Sequence, residues 1–427
     1  MKIKWPTGAL LLTAIGGIVW ACGGTGRSLS PEDGDGSGGS GGGSAGAGAG
    51  GDGGADAGMD ATFVDPDGGS TGDNGCPGLE QSFIWIANTA EGTLSKVCTK
   101  NGVEVARYVT SEQGGTGDPS RTSVNRHGDM VVTNREPMSG PSSVTKFAGD
   151  IGGCIDRNND GKIQTSHGPM EVLPFGQDEC MLWNTKLPGG AAIGARATAW
   201  DGAEDPKTGK GGHVWIGALT TRQVFQIDGD TGAILKTGLS PASVSPYGGA
   251  VDGKGGYWMV AATCTVGICS IARMDMATMQ AKAFTVKCGY GISVDGRGRI
   301  WTAGLGCVNR FDPTTETSAN VAVGGFNRGV AVDGVGSVWV ANTGGDMVQI
   351  DEDTMAVVHR FPVGVSDMIG VAVDFDGFVW GVSQGGSEIY KVDPKSYATA
   401  LKVPIGAGPY TYSDMTGMQL RQVIEVK

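Results

Sequence analysis

One phrase recurs along the second half of the chain. It reads GGAVDGKGGYWMVA at 248–261, GISVDGRGRIWTAG at 291–304, GVAVDGVGSVWVANT at 329–343 and GVAVDFDGFVWGVS at 370–383. Self-similarity at this spacing fixes architecture, because each copy is one supersecondary unit that buries its apolar face only by stacking on its neighbours. Within a copy, short apolar runs rich in Val, Ile, Phe and Trp alternate with Gly-rich turns, and no helical period appears. That is the pattern of an antiparallel sheet. Trp215, Trp258, Trp301, Trp339 and Trp380 fall 43, 43, 38 and 41 residues apart. About 40 residues carrying four strands make one propeller blade.

Two degenerate units precede these. SVNRHGDMVVTN places Val131 at the Trp position, and SFIWIANT restores the aromatic as Trp85. The count predicts an all-β, seven-bladed β-propeller of four-stranded antiparallel blades over residues 76–427. The 84 residues from Val131 to Trp215 are twice a blade, which places an insert at 148–180, around CIDRNNDGKIQTSHGPMEVLPFGQDEC. The first unit lacks an opening strand, and PYTYSDMTG near the C-terminus matches the start of a repeat. Residues 409–416 are therefore expected to close the ring as the inner strand of the first blade, which removes exposed sheet edges. Leu420 lies six residues after Asp414, as Trp339 follows Asp333, so the tail is also a candidate start of a further strand.

The repeat G-[IV]-[AS]-V-D-x-x-G-x-[IV]-W, followed by strands such as VNRFDP and IYKVDP, resembles NHL-type and streptogramin lyase-like (virginiamycin B lyase-like) propellers. The resemblance spans about residues 82–418 and implies the fold. For such lyases it also implies histidines and a glutamate near the central mouth, with magnesium. Where a lyase shows His before the inner-strand Gly, this chain has Tyr247, Tyr290, Arg328 and Ile369. Its four histidines, His127, His167, His213 and His359, fall in a turn, the insert, a strand and an outer strand. Lyase activity is not carried over, and no GxSxG, HExxH, phosphate-loop or dinucleotide motif appears.

The N-terminus reads as an export signal over 1–21. Lys2 and Lys4 precede an apolar run, ALLLTAIGGIVW, too short to span a bilayer comfortably. VWACGG resembles a bacterial lipobox, which implies cleavage before Cys22 and its lipidation. Gly23 after the Cys favours the outer membrane, on its periplasmic or cell-surface side. Gly makes up 77 of the 427 residues, and much of it lies in residues 22–75, a Gly/Ser/Ala/Asp tether unable to bury enough apolar surface to order itself. The remaining eight cysteines, an even count in an exported chain, read as four disulfides. The expected pairs are Cys76–Cys98, Cys154–Cys180, Cys264–Cys269 and Cys288–Cys307. The third closes the hairpin CTVGIC, and the fourth joins the start of an inner strand to the next turn. A net charge of −12 without a basic run argues against nucleic acid as a partner and favours a soluble monomer.

Two constellations carry candidate chemistry. DRNNDGKI offers Asp156, Asn158 and Asp160 as alternating oxygen donors, Gly161 for the turn and the Lys162 carbonyl, as in an EF-hand-like calcium loop. His167 stands where the bidentate Glu belongs, and Glu171, Asp178 or Glu179 are possible substitutes. A structural Ca2+ is the expectation. The residues opening the inner strands read Arg121, Arg196, Tyr247, Tyr290, Arg328, Ile369 and Tyr410. Three Arg and three Tyr around one opening suit a carboxylate, sulfate or sugar. The competing reading is a plug in which they satisfy one another. The function expected is a lipid-anchored binding module for an extracellular anionic glycan, peptide or protein. Alternatives are a lyase-like enzyme using a divalent metal and a structural part of an envelope assembly.

Overall fold

The computed structural model describes residues 76–77, 82–136, 140–191, 193–264, 267–363 and 366–425. The signal segment, Cys22 and the tether lie outside the described residues. Four separate four-stranded sheets, one three-stranded sheet and one seven-stranded sheet make up the domain. The seven-stranded sheet is two blades sharing the long strand Thr317–Val332. Its first half pairs with Leu305–Asp312 and its second with Ser337–Asn342. The three-stranded sheet, beginning with Phe83–Asn88, is completed by the segment that starts at Pro409. Seven blades result, as the repeats predict.

The blade's Asp and Trp form one device. In four repeats Asp252, Asp295, Asp333 and Asp374 each place one carboxylate oxygen on turn amides two and four residues on. The other oxygen accepts the indole N–H of Trp258, Trp301, Trp339 or Trp380, at 2.8–3.1 Å. A buried indole needs an acceptor, and a buried carboxylate needs donors, so the six-residue spacing satisfies both at once. A cation completes three of these sites: Arg273 and Lys391, each from the next strand, on Asp252 and Asp374, and Arg299, from the same turn, on Asp295.

The repeat's glycines set how closely blades converge. A Cβ on Gly291 would lie 2.0 Å from the Arg328 carbonyl oxygen, and one on Gly370 would lie 2.1 Å from that of Thr411. Neither position admits a side chain. The second contact places the closing segment beside the seventh blade. On its other side Arg121 Nη1 donates to the Tyr412 carbonyl at 2.9 Å, and the Thr122 amide to Ser413 Oγ at 2.9 Å. Tyr410 N donates to Ala87 O, and Trp85 N to Met415 O, both at 3.0 Å. The ring is closed by the expected segment.

The tail does not begin a further strand. Met418–Glu425 is a short α-helix, and Asp414 takes the Leu420 backbone amide at 3.2 Å where its counterparts take an indole N–H. With Leu in place of Trp, no indole is available, so the carboxylate caps the start of a helix instead. Leu420 and Val423 are buried, and Gln422 donates to the Val332 carbonyl at 2.8 Å.

The insert 148–180 joins Pro141–Phe147 to Met181–Ala191 and reaches back to the first blade, where Gly168 N donates to Val105 O at 2.9 Å. It thereby covers part of that blade's outer edge. A second insertion, the turn between Ala195–Trp200 and His213–Ala218, accounts for the rest of the long interval. The disulfides are Cys76–Cys98, Cys154–Cys180, Cys264–Cys269 and Cys288–Cys307. Four disulfides indicate an oxidising, exported environment. Among the described residues no helix is long and apolar enough to cross a membrane.

Candidate functional site

Five inner strands carry a bulge near their opening, whereas Gly291–Val294 pairs without one. Register shifts fall between Ala195 and Ala197, Pro246 and Gly248, Asn327 and Val330, and Met368 and Gly370. A bulge leaves a residue unpaired and re-aims its side chain. The residues skipped include Arg196, Tyr247, Arg328 and Ile369, as the sequence alignment places them. In the second blade the shift lies between Pro119 and Arg121, so the equivalent residue is Ser120. Arg121 pairs with Thr133 as Gly248 pairs with Val260, one position further in than the repeat suggested.

Arg121 nonetheless joins the others. Its guanidinium carbon lies 3.3 Å from the Tyr412 ring centroid and 5.0 Å from that of Tyr247. That of Arg196 lies 4.0 Å from the Tyr247 centroid, and Arg196 Nη2 donates to Tyr412 Oη at 2.9 Å. The hydroxyls of Tyr247, Tyr290 and Tyr410 form a triangle with sides of 2.5, 2.6 and 2.8 Å. Tyr412 Oη adds a fourth contact, donating to Tyr410 Oη at 3.3 Å. Tyr412 was not among the sequence candidates. Its signal was strand alternation, since it lies two residues beyond Tyr410 on the same face.

Arg121, Arg196, Tyr247, Tyr290, Tyr410 and Tyr412 are all buried. Ile369, also buried, adds an apolar wall. Arg328 lies nearer the rim, with Nη1 3.2 Å from Gln384 Oε1 and 3.5 Å from Asp367 Oδ1. Arg135 stacks 5.3 Å from the Tyr410 centroid and pairs with Asp118. Among the described residues the interior arginines have no such carboxylate. Arg121 Nε and Nη2, Arg196 Nε and Arg328 Nε are buried without an acceptor.

The protonation balance follows from this. Burial, the largest influence, lowers Arg121, whereas phenol oxygens outweigh burial for Arg196 and raise it. Burial raises Tyr247, Tyr290 and Tyr412. Burial alone would raise Tyr410 too. Arg196 and the hydroxyls of Tyr247, Tyr290 and Tyr412 together outweigh it and bring Tyr410 down to about 7.

The histidines lie elsewhere. The His127 ring is 3.3 Å from the Pro206 carbonyl oxygen, and His213 Nδ1 is 2.7 Å from Asp201 Oδ2. His167 bridges to Glu171 within the insert, and His359 stacks 4.0 Å from Tyr397. The mouth has arginines and phenols where a magnesium site needs carboxylate oxygens, so the residues present do not fit that metal.

In the insert, Asp156 accepts the amides of Asn159 and Gly161 at 2.7 and 2.9 Å. Asn158 Nδ2 lies 3.1 Å from Asp160 Oδ2, and Asp160 accepts the Lys162 amide at 2.9 Å, which lowers its pKa. Glu179 accepts the amides of Arg157 and Gln164, while Asp178 holds Thr165 and Ser166. Both carboxylates brace the loop's base. Among the described residues no group of three or more His, Cys, Asp or Glu side chains converges as a metal cage.

No protein-family model matches this chain, and no curated protein matches it by sequence. Among solved structures it is similar to a streptogramin B lyase, at 11% identity and a TM-score of 0.51, covering 69% of this chain and 86% of the other. A catalytically inactive virginiamycin B lyase from Staphylococcus aureus with quinupristin gives 13% identity, 67% and 84% coverage, and a TM-score of 0.48. The likeness is one of fold.

Proposed function

We propose that this protein is an exported binding propeller, anchored by lipid at Cys22, carried on the tether 22–75, and monomeric. It takes the acidic group of an extracellular glycan or peptide at the mouth formed by Arg121, Arg196, Arg328, Tyr247, Tyr290 and Tyr410. One observation carries the reading: buried guanidinium donors stand without acceptors. A buried charge left unpaired costs several kcal/mol, and a ligand carboxylate or sulfate supplies the missing partner. An opening of positive potential in a chain of net charge −12 also steers anions inward. Arg328→Ala is expected to abolish binding on an array of acidic glycans and peptides, a loss of about 2–5 kcal/mol, with the melting temperature nearly unchanged. Unchanged binding with a clear loss of stability would show a plug instead.

The insert is proposed to hold a structural Ca2+ through Asp156, Asn158, Asp160 and the Lys162 carbonyl. Chelation is then expected to lower the melting temperature and open residues 150–180 to protease. An Asp156→Ala, Asp160→Ala double variant that behaves like wild type in excess calcium would refute the site.

A further inference from the structure

Two interior guanidinium groups with no carboxylate need a negative charge from somewhere even before any ligand arrives. Asp118 pairs with Arg135 and Asp367 with Arg328, so neither serves Arg121 or Arg196. The groups facing Tyr410 are Arg121, Arg135, Arg196 and Arg328 together with Tyr247, Tyr290 and Tyr412. Its oxygen is met by three other hydroxyls, at 2.6, 2.8 and 3.3 Å. Each phenol has one proton to give. Tyr247 gives its proton to Tyr290 at 2.5 Å, which leaves Tyr290 and Tyr412 as donors to the Tyr410 oxygen. An oxygen with two phenol donors, beside the Arg196 guanidinium that has no carboxylate among the described residues, favours the anion.

We propose that Tyr410 is ionised in the unliganded protein, as the resident counter-ion of Arg121 and Arg196, and that an acidic ligand displaces this charge. The idea rests on the mouth being an acid-binding site. A phenolate and a ligand anion crowded into one low-dielectric site repel, so the ligand favours the neutral phenol. Binding above neutral pH therefore takes up one proton from solvent, which adds to the Tyr410 oxygen. Anion affinity falls about tenfold per pH unit once the free protein is ionised. The sign for folding is the opposite. A phenol at about 7 when folded and about 10 when unfolded stabilises the fold fully above the unfolded value. This contribution is lost as pH falls through the folded one.

The test uses the full folded chain and sulfate as probe. Near-ultraviolet absorbance should show one phenolate appearing with a midpoint near neutrality, absent from Tyr410→Phe. At a pH about one unit higher, sulfate should abolish it while a dye reports uptake of one proton. Wild type without a phenolate below about pH 9 would overturn the proposal, whether or not the variant folds. An identical signal in a folded Tyr410→Phe would do the same. Sulfate binding without proton uptake would overturn the displacement and leave the acid-binding reading standing. A phenolate with no binding of sulfate or of trigalacturonate would remove the acid-binding reading, and the displacement with it.

Discussion

A chain ending at Gly408 is expected not to fold. It loses the segment that completes the first blade, which sits between the seventh blade and the second. Tyr410, Tyr412, Asp414 and Met415 are all buried there. The bonds from Trp85, Arg121 and Thr122 to this segment go with it, leaving Phe83–Asn88 as an open edge at the centre of the molecule. Buried amides without partners cost about 1–3 kcal/mol each. Together with the lost apolar burial, the total exceeds the roughly 5–15 kcal/mol that stabilises a whole domain. Circular dichroism and limited proteolysis would check this. A chain ending at Gly417 keeps this segment, loses only the terminal helix, and should melt cooperatively at a lower temperature. A native-like melt from the shorter chain would mean that the ring does not depend on closure.

The second large effect is expected at Asp374. Its Oδ2 accepts the Trp380 indole N–H at 2.8 Å and faces Lys391 Nζ at 3.5 Å, while Oδ1 holds the Asp376 and Phe378 amides. Lys391, itself buried, also donates to the Thr99 carbonyl at 2.6 Å and so ties the seventh blade to the first. Asp374→Ala strands a buried ammonium and an indole N–H together. Removing one partner of a buried ion pair costs about 3–5 kcal/mol. Asp374→Asn, which keeps an acceptor for the indole, should cost less. Chemical denaturation of the two variants gives the comparison, and a loss below about 1 kcal/mol for alanine would show that water reaches Lys391.

Blade number, ring closure, insert boundaries and disulfide pairing were legible in the sequence because each is a matter of spacing along a repeat. The Asp–Trp bond was legible in part. The six-residue interval is visible four times, but turn geometry alone explained the Asp until its second oxygen was found on the indole. The helical tail was not legible, because Leu420 keeps the repeat's spacing while lacking the N–H that gives the spacing its purpose. Arg121 slipped by one because PSRTSV has no inner-strand Gly to mark its bulge. Tyr412 was missed because the repeat marks only the residue that opens each inner strand, and Tyr412 lies two further in. The missing counter-charge was not legible either, because it depends on which carboxylates the folded ring brings to Arg121 and Arg196, and among the described residues none arrives.

The central claim is that the mouth holds a ligand's acid. Isothermal titration of trigalacturonate and its neutral methyl ester into wild type and Arg328→Ala tests it most directly. The account predicts that wild type binds the acid and not the ester, and that the variant binds neither while melting as wild type does. Equal affinity for acid and ester, or undiminished binding by a destabilised Arg328→Ala, would contradict it.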